Sequence, residues 1–331
     1  MILPIPTTRA VIDPLRKCNM RCRMCYHLHT DMKSIDPLDK TLRELDAAKA
    51  RGNDYIDITG GQPTIHPHIV EIINYIHNKN MKCCIITNAI DGEEKTNEIL
   101  SIKPDELLIS IHGLEQTHDW LTQHTGARQK QIRFMNQIKN LIPYRFNFVI
   151  AKFNQHEIFE TAEWMLQWNP NIVNFINFNP HHEWSNNIAS KDVMADLRTV
   201  EPILNKSIKI LEDKNIGVNV RYYPMCRIHE NYRRCICNDL HVVFDPYEWD
   251  YSISPKTFDA FRKWGIAGSK GMENKGIPCN ICDLQWICGG INTNFHKMSN
   301  GTMVDAVRDF QGDKNNFYHY RENNILTLQS R

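Results

Sequence analysis

Short apolar runs alternate along the first two-thirds of the chain with longer segments in which apolar residues recur every three or four positions. Residues 9–13, 55–59, 83–87, 106–111, 146–151 and 173–178 are rich in β-branched and aromatic side chains and predict strands. Between them, residues 39–50, 68–78, 129–141 and 158–168 carry the spacing of amphipathic helices. Six strand–helix units in succession argue for an α/β fold with a parallel sheet and crossover helices. Six are too few for a closed eight-stranded barrel. The rhythm changes near residues 215–217 and stops from Arg221 onward, where cysteines cluster. The expected domains are therefore 1–215 and 216–312, with a polar tail over 313–331 that wraps the surface or is partly disordered.

In parallel barrels chemistry gathers at the C-terminal strand ends. Those positions here are the segment after residue 13, Gly60-Gly61-Gln62-Pro63, Thr87-Asn88, Ser110-Ile111-His112-Gly113, the neighbourhood of Lys152 and Asn154, and Asn177 to His182. His181 and His182 are expected to face substrate. The first of these segments contains Cys18, Cys22 and Cys25 among Lys17, Asn19, Arg21 and Arg23. Such polar company argues against a buried helical stripe. Three thiolates are one short of a closed iron–sulfur cube, and an open metal position is where chemistry occurs.

Cys-x3-Cys-x2-Cys followed by aromatic Tyr26 resembles the signature loop of the radical S-adenosylmethionine superfamily. The resemblance implies a partial (β/α)6 barrel of TIM type whose open side admits substrate. It also implies that Cys18, Cys22 and Cys25 are the catalytic metal ligands, holding a [4Fe–4S] cluster with one iron chelated by S-adenosylmethionine. Reductive cleavage would then give a 5′-deoxyadenosyl radical that abstracts a substrate hydrogen, with a one-electron reductant such as flavodoxin or ferredoxin as partner. Gly60-Gly61-Gln62-Pro63 is similar to the family's Gly-Gly-Glu-Pro motif, which grips the methionine amino group. Consecutive glycines let backbone approach a ligand closely. Gln62 replaces the usual Glu, so its amide oxygen would accept the ammonium hydrogen bond without charge assistance, and Gln62→Glu would bind the cofactor more tightly. By the same resemblance Thr87, Asn88 and Ser110 contact ribose and methionine, and the backbone near Tyr26 meets adenine. Ordinary capping by Asn, Ser and Thr competes with these roles.

A second cysteine group follows: Cys226, Cys235 and Cys237, then Cys279-Asn280-Ile281-Cys282 and Cys288-Gly289-Gly290. Alone, Cys-x2-Cys with distant partners is a zinc pattern. Placed after a radical barrel it resembles the SPASM domain or its shorter twitch form. That implies one auxiliary [4Fe–4S] cluster, on Cys279, Cys282, Cys288 and Cys226, with Cys237 as the other choice of fourth ligand. Cys83 and Cys84 lie inside a predicted strand and point to opposite faces, as small core residues.

With 39 Lys and Arg against 38 Asp and Glu, the formal net charge is +1, which gives no field favouring nucleic acid or membrane. The runs Arg128, Lys130, Arg133 and Arg227, Arg233, Arg234 read mainly as solvated surface, with holding a phosphate or carboxylate as the lesser alternative. No long apolar stretch predicts a membrane span. Eleven cysteines in 331 residues, with no signal peptide, point to a reducing cytoplasm rather than a disulfide scaffold. The start of the cluster loop by residue 18 leaves no room for a preceding peptide-recognition domain. The expected substrate is thus a small molecule, a nucleotide, sugar or amino-acid derivative of natural-product or cofactor biosynthesis, with a peptide as the alternative. The competing class is a non-catalytic, zinc-stabilised binding module.

Overall fold

The computed structural model describes residues 9–25, 27, 31–180, 192–237, 273–274, 276–285 and 288–311. Tyr26, His181, His182 and the 313–331 tail lie outside the described residues. The chain divides into two compact units whose described residues are 9–147 and 148–311.

The first unit contains β1 (Arg9–Ile12), α1 (Leu38–Ala50), β2 (Tyr55–Ile58), α2 (Ile69–Asn78), β3 (Lys82–Thr87), α3 (Glu93–Ile102), β4 (Glu106–Ser110), α4 (Glu115–Thr122), α5 (Ala127–Ile138) and the start of β5 (Tyr144–Ile150). The strands pair in parallel: Arg9 lies opposite Tyr55, Tyr55 opposite Lys82, Cys84 opposite Glu106 and Leu107 opposite Tyr144. Ile56, Ile58, Ile85, Leu107, Leu108, Ile109 and Phe146 form the buried sheet core. Helix α2 covers it with Ile69, Ile72, Ile73 and Ile76, the three- and four-residue spacing of a buried helical face. Burying each isoleucine contributes about 1.5–3 kcal/mol.

Charges fill the interior near the N-terminal strand ends. Arg9 pairs with Asp57 at 2.8 Å and Glu106 at 3.1 Å, and Arg145 pairs with Glu106 at 2.8 Å. The Arg9 guanidinium also lies 3.7 Å from the Tyr55 ring centroid. Removing one partner of such a buried group typically costs about 3–5 kcal/mol, because the other charge is left uncompensated.

The second unit contains the end of β5, α6 (Ile158–Leu166), β6 (Ile172–Asn177), α7 (Leu197–Glu212), β7 (Gly217–Arg221), β8 (Ile236–Cys237), the antiparallel pair β9 (Glu273–Asn274) and β10 (Ile291–Asn292), and α8 (Thr293–Met298). Strand order follows the chain from β1 to β8, the topology of a parallel α/β partial barrel. The alternation runs one unit beyond the six expected. Strand β7 pairs in parallel with β6, Val173 opposite Val218, and its connection is α7, which buries Leu197, Val200, Leu204, Ile208 and Leu211. The parallel strands thus continue past residue 215.

Candidate functional site

In the first unit the loop after β1 carries Cys18, Cys22 and Cys25, all half-buried. Its path is fixed from two sides. On one side, Gly61 N–H donates to Leu15 O and Gln62 N–H to Lys17 O, both at 2.9 Å. On the other, Arg23 N–H donates to Leu121 O at 2.8 Å and Arg21 N–H to Thr122 O at 3.3 Å, at the end of α4. Arg23 also lies over Trp120, 4.2 Å from the ring centroid. Cys18 and Cys22 pack against Met20, Ile90 and Ala127. Burial pushes the Cys22 thiol up, and Cys25 and then Cys18 push it the same way, because crowding thiolates is unfavourable without a cation between them. The three sulfurs therefore suit a shared cationic metal group.

The paired glycines let the turn press closely on the loop. A Cβ on Gly60 would collide with Leu15 O and the Asp13 carboxylate, and one on Gly61 with Lys17 O. Gly60 also has φ +116°, which excludes other residues on backbone grounds. The turn thus requires glycine because it presses on the segment leading into Cys18.

Gln62 is fully buried. Its Nε2, with two hydrogens to donate, has three acceptors within reach: Thr64 Oγ1 at 2.6 Å, Thr87 Oγ1 at 2.7 Å and Asp91 Oδ2 at 3.2 Å. Its Oε1 accepts the Asn88 N–H at 3.0 Å. The oxygen expected to meet an ammonium group is therefore already bonded to backbone, and the amide welds the turn after β2 to the end of β3. Thr87 Oγ1 further accepts the Ala89 N–H at 2.9 Å, an internal capping role. Asn88 instead reaches the cysteines: its Nδ2 lies 3.9 Å from Cys18 Sγ and donates to Asn19 Oδ1 at 2.7 Å. Pro63 starts a single 3-10 turn, Pro63–Ile65.

Two residues on α5 matter here: Gln131, which was not singled out from the sequence, and Arg128, which was read as part of a basic surface run. Gln131 Nε2 donates to Asn88 O at 2.8 Å and Ser110 O at 2.7 Å, joining the ends of β3 and β4. Arg128 Nη1 donates to Gln131 Oε1 at 3.1 Å, and Arg128 is only 2% exposed. The solvated-surface reading of this basic run is corrected at Arg128. Burial pulls its guanidinium down to about 10 against the opposing pull of Asp119 and Glu115. Its chain neighbour Ala127 packs against Cys18 and Cys22. The amphipathic period of α5 was the available signal, since it places Arg128 and Gln131 on the inward face with Phe134 and Met135.

In the second unit one pocket is lined by Cys226, Cys279, Cys282 and Cys288, with Pro224, Leu284, Gly290 and Asp305 among its other walls. Three backbone N–H groups point at its sulfurs: Asp305 to Cys226 at 3.4 Å, Val307 to Cys282 at 3.3 Å and Gly290 to Cys288 at 3.3 Å. Burial pushes the Cys226 thiol up to about 11, with the Asp305 N–H and Arg227 pulling down. Four convergent sulfurs with such donors fit a closed metal or iron–sulfur centre. Cys235 stands apart, its Sγ 3.6 Å from Glu212 Oε1, and the Cys237 side chain lies outside the described ones. Arg227, expected on the surface, is 7% exposed and ties Cys226's turn to Met303 O at 2.9 Å and to Asp305. At the end of β5, Asn154 accepts the Ala151 N–H and donates to Val149 O, both at 2.8 Å, a local cap.

Among the described residues no helix is long and apolar enough to cross a membrane. Residues 12–165 match the family description of the radical SAM superfamily. The chain is similar to the PqqA peptide cyclase of Methylorubrum extorquens (strain PA1), 25% identical over 162 residues, covering 47% of this chain and 42% of that protein. It thus spans less than half the length of that relative. It is 22% identical over 225 residues to the probable GTP 3′,8-cyclase of Thermococcus kodakarensis, covering 66% of this chain and 72% of that one. Its fold is similar to Streptococcus suis SuiB bound to S-adenosylmethionine, with a TM-score of 0.62 and 16% identity, over 94% of this chain and 78% of SuiB. With its cysteine loop, paired-glycine turn and parallel strand–helix units, the chain carries a domain of the radical SAM superfamily.

Proposed function

We propose that the chain is a radical S-adenosylmethionine enzyme in which Cys18, Cys22 and Cys25 hold a [4Fe–4S] cluster with one iron left to the cofactor. The observation that carries this reading is the three-cysteine loop, clamped between the Gly60-Gly61 turn and α4. When bound, the cluster supplies the electron that splits the sulfonium to methionine and a 5′-deoxyadenosyl radical, which removes a substrate hydrogen atom. The chain's own residues bind and orient. Asn88 steadies Cys18, Gln62 and Gln131 fix the strand ends around it, and Arg128 supplies the cation for the methionine carboxylate. Gly60, Gly61, Pro63, Thr87 and Ser110 shape the rest of the cofactor cradle.

In the same proposal, the chain after β7 holds one auxiliary [4Fe–4S] cluster of twitch or SPASM kind on Cys226, Cys279, Cys282 and Cys288. The shared pocket and its N–H···S contacts support this, since hydrogen bonds to sulfur tune cluster potentials. Held by these four cysteines, such a cluster would supply an acceptor for the product radical's electron or an anchor for substrate. A flavodoxin or ferredoxin is the proposed reductant, in a reducing cytoplasm. The proposed substrate is a small molecule, supported by similarity to the probable GTP cyclase over two-thirds of the chain. A peptide is the second reading, favoured by similarity to the PqqA peptide cyclase and by the fold likeness to SuiB bound to precursor peptide SuiA.

Anaerobically reconstituted protein mixed with dithionite and S-adenosylmethionine is expected to release 5′-deoxyadenosine, and Cys22→Ala to abolish it. No 5′-deoxyadenosine from brown, fully loaded protein, with and without candidate nucleotides and peptides, overturns the reading. Colourless protein holding zinc at both cysteine groups establishes the binding-module class instead.

A further inference from the structure

At the opposite end of β3 from the three-cysteine loop, a second set of metal-ligating side chains converges. His77 lies in the last turn of α2, Cys83 is the second residue of β3, and Asp105 immediately precedes β4. His77 Nε2 is 3.2 Å from Asp105 Oδ2 and 3.7 Å from Cys83 Sγ. All three ligand atoms lie within 4.8 Å of one another. The Cys83 N–H also donates to Asp105 Oδ2 at 2.8 Å.

Nε2 carries at most one hydrogen, so it can donate to Asp105 or accept from the Cys83 thiol but not both. A cation between the three groups takes a lone pair from each. Tetrahedral zinc with bonds of about 2.3 Å to sulfur and about 2.0–2.1 Å to nitrogen and oxygen requires edges of about 3.6 Å for S···N and about 3.3 Å for N···O. The two edges from Nε2, 3.7 Å to sulfur and 3.2 Å to oxygen, match that geometry, and the sulfur–oxygen edge lies within 4.8 Å.

We propose that His77, Cys83 and Asp105 form a zinc(II) site that braces α2, β3 and the entry to β4. Thiolate with imidazole selects zinc over magnesium or calcium. The His77 and Asp105 side chains are 34% and 32% exposed, so water completes the coordination. Burial, which holds the Cys83 thiol up near 12, makes zinc the agent that ionises it. The expected placing of Cys83 as a core residue holds for its burial, whereas its sulfur faces His77, and Cys84 faces Arg145.

The test uses the full-length, anaerobically reconstituted protein, incubated with zinc chloride and dialysed, with zinc and iron counted together. His77→Ala is expected to hold about one zinc per chain less than the parent at unchanged iron, and Asp105→Asn to weaken zinc binding at least tenfold. X-ray absorption of the zinc removed by His77→Ala is expected to show one sulfur among nitrogen and oxygen neighbours. If the four-cysteine pocket takes zinc instead of iron–sulfur, both proteins carry that extra ion and the one-zinc difference persists, so the two readings fail separately. Equal zinc in parent and His77→Ala, or zinc with sulfur neighbours only, overturns the proposal.

Discussion

Gln62→Glu would restore the carboxylate usual at this place in the family, and the structure predicts that it harms the fold. The substitution replaces Nε2, which has Thr64, Thr87 and Asp91 as acceptors, by an oxygen in a fully buried position. The new carboxylate would then lie at the 3.2 Å separation that Nε2 now keeps from Asp91 Oδ2. Burial already holds the Asp91 carboxyl above its ordinary value, against the hydrogen bonds from Thr64 and Gln62. Two carboxylates this close cannot both ionise, so the pair retains a proton. Raising one folded-state pKa by about 2–3 units, at about 1.4 kcal/mol per unit, costs about 3–4 kcal/mol at neutral pH. The sign follows from linkage: with the folded pKa raised, the penalty is near zero below the unfolded value of about 4.3, grows as pH rises through the window between the two, and levels off above the folded value. Urea unfolding of the anaerobic protein is expected to show a loss of about 1 kcal/mol at pH 5 and about 3–4 kcal/mol at pH 8. From the sequence alone the opposite is expected, a variant that binds S-adenosylmethionine more tightly. Parent-like stability at pH 8, or tighter cofactor binding by Gln62→Glu, refutes the structural argument.

Three further outcomes follow from the same contacts. Cys226→Ala is expected to lower bound iron from about eight to about four per chain, whereas Cys235→Ala leaves it unchanged, as iron and sulfide quantitation would show. Gly61→Ala drives a methyl group into Lys17 O, a backbone clash that does not relax, so this variant is expected to lose at least 2 kcal/mol of stability and to reconstitute poorly at the first cluster, by unfolding and iron counts. Arg128→Gln removes a buried charge-assisted contact worth about 1.5–3 kcal/mol, so equilibrium binding of S-adenosylmethionine is expected to weaken roughly 10- to 100-fold, with Lys restoring part of it.

The six strands read from apolar runs are all present, because a parallel sheet buried on both faces shows itself as continuous Ile, Leu, Val and Phe segments. Helix α7 was harder to read, since Pro202 lies inside it and proline signals a helix end. Missing it hid β7, whose run Gly217–Arg221 is short and interrupted by Asn219. The four-cysteine set was legible from spacing for Cys279, Cys282 and Cys288, which a local turn gathers. Cys226 lies 53 residues earlier in sequence than Cys279, so spacing alone could not choose it over Cys237 and the resemblance carried that choice; the fold brings it in through Arg227 and its hold on Met303 and Asp305. Arg128 was obscured for another reason. Charge runs are usually solvated, and only the helical phase of α5 distinguishes the inward arginine from Lys130 and Arg133.

The Gln62 site changes how a motif residue should be weighed. A carboxylate at this position invites a ligand-binding role, because an unpaired buried charge demands a cation. A neutral amide has no such demand, and Gln62 directs its two amide hydrogens among Thr64, Thr87 and Asp91 while its oxygen accepts the Asn88 N–H. The acidic group of this network is instead Asp91, which also accepts from Thr64 Oγ1 at 2.8 Å. Tightening the turn after β2 against the end of β3 fixes Asn88, and Asn88 reaches both Asn19 and the Cys18 sulfur. Any effect of Gln62 on the cysteine loop therefore passes through Asn88, and the amide holds its place because its hydrogens have acceptors.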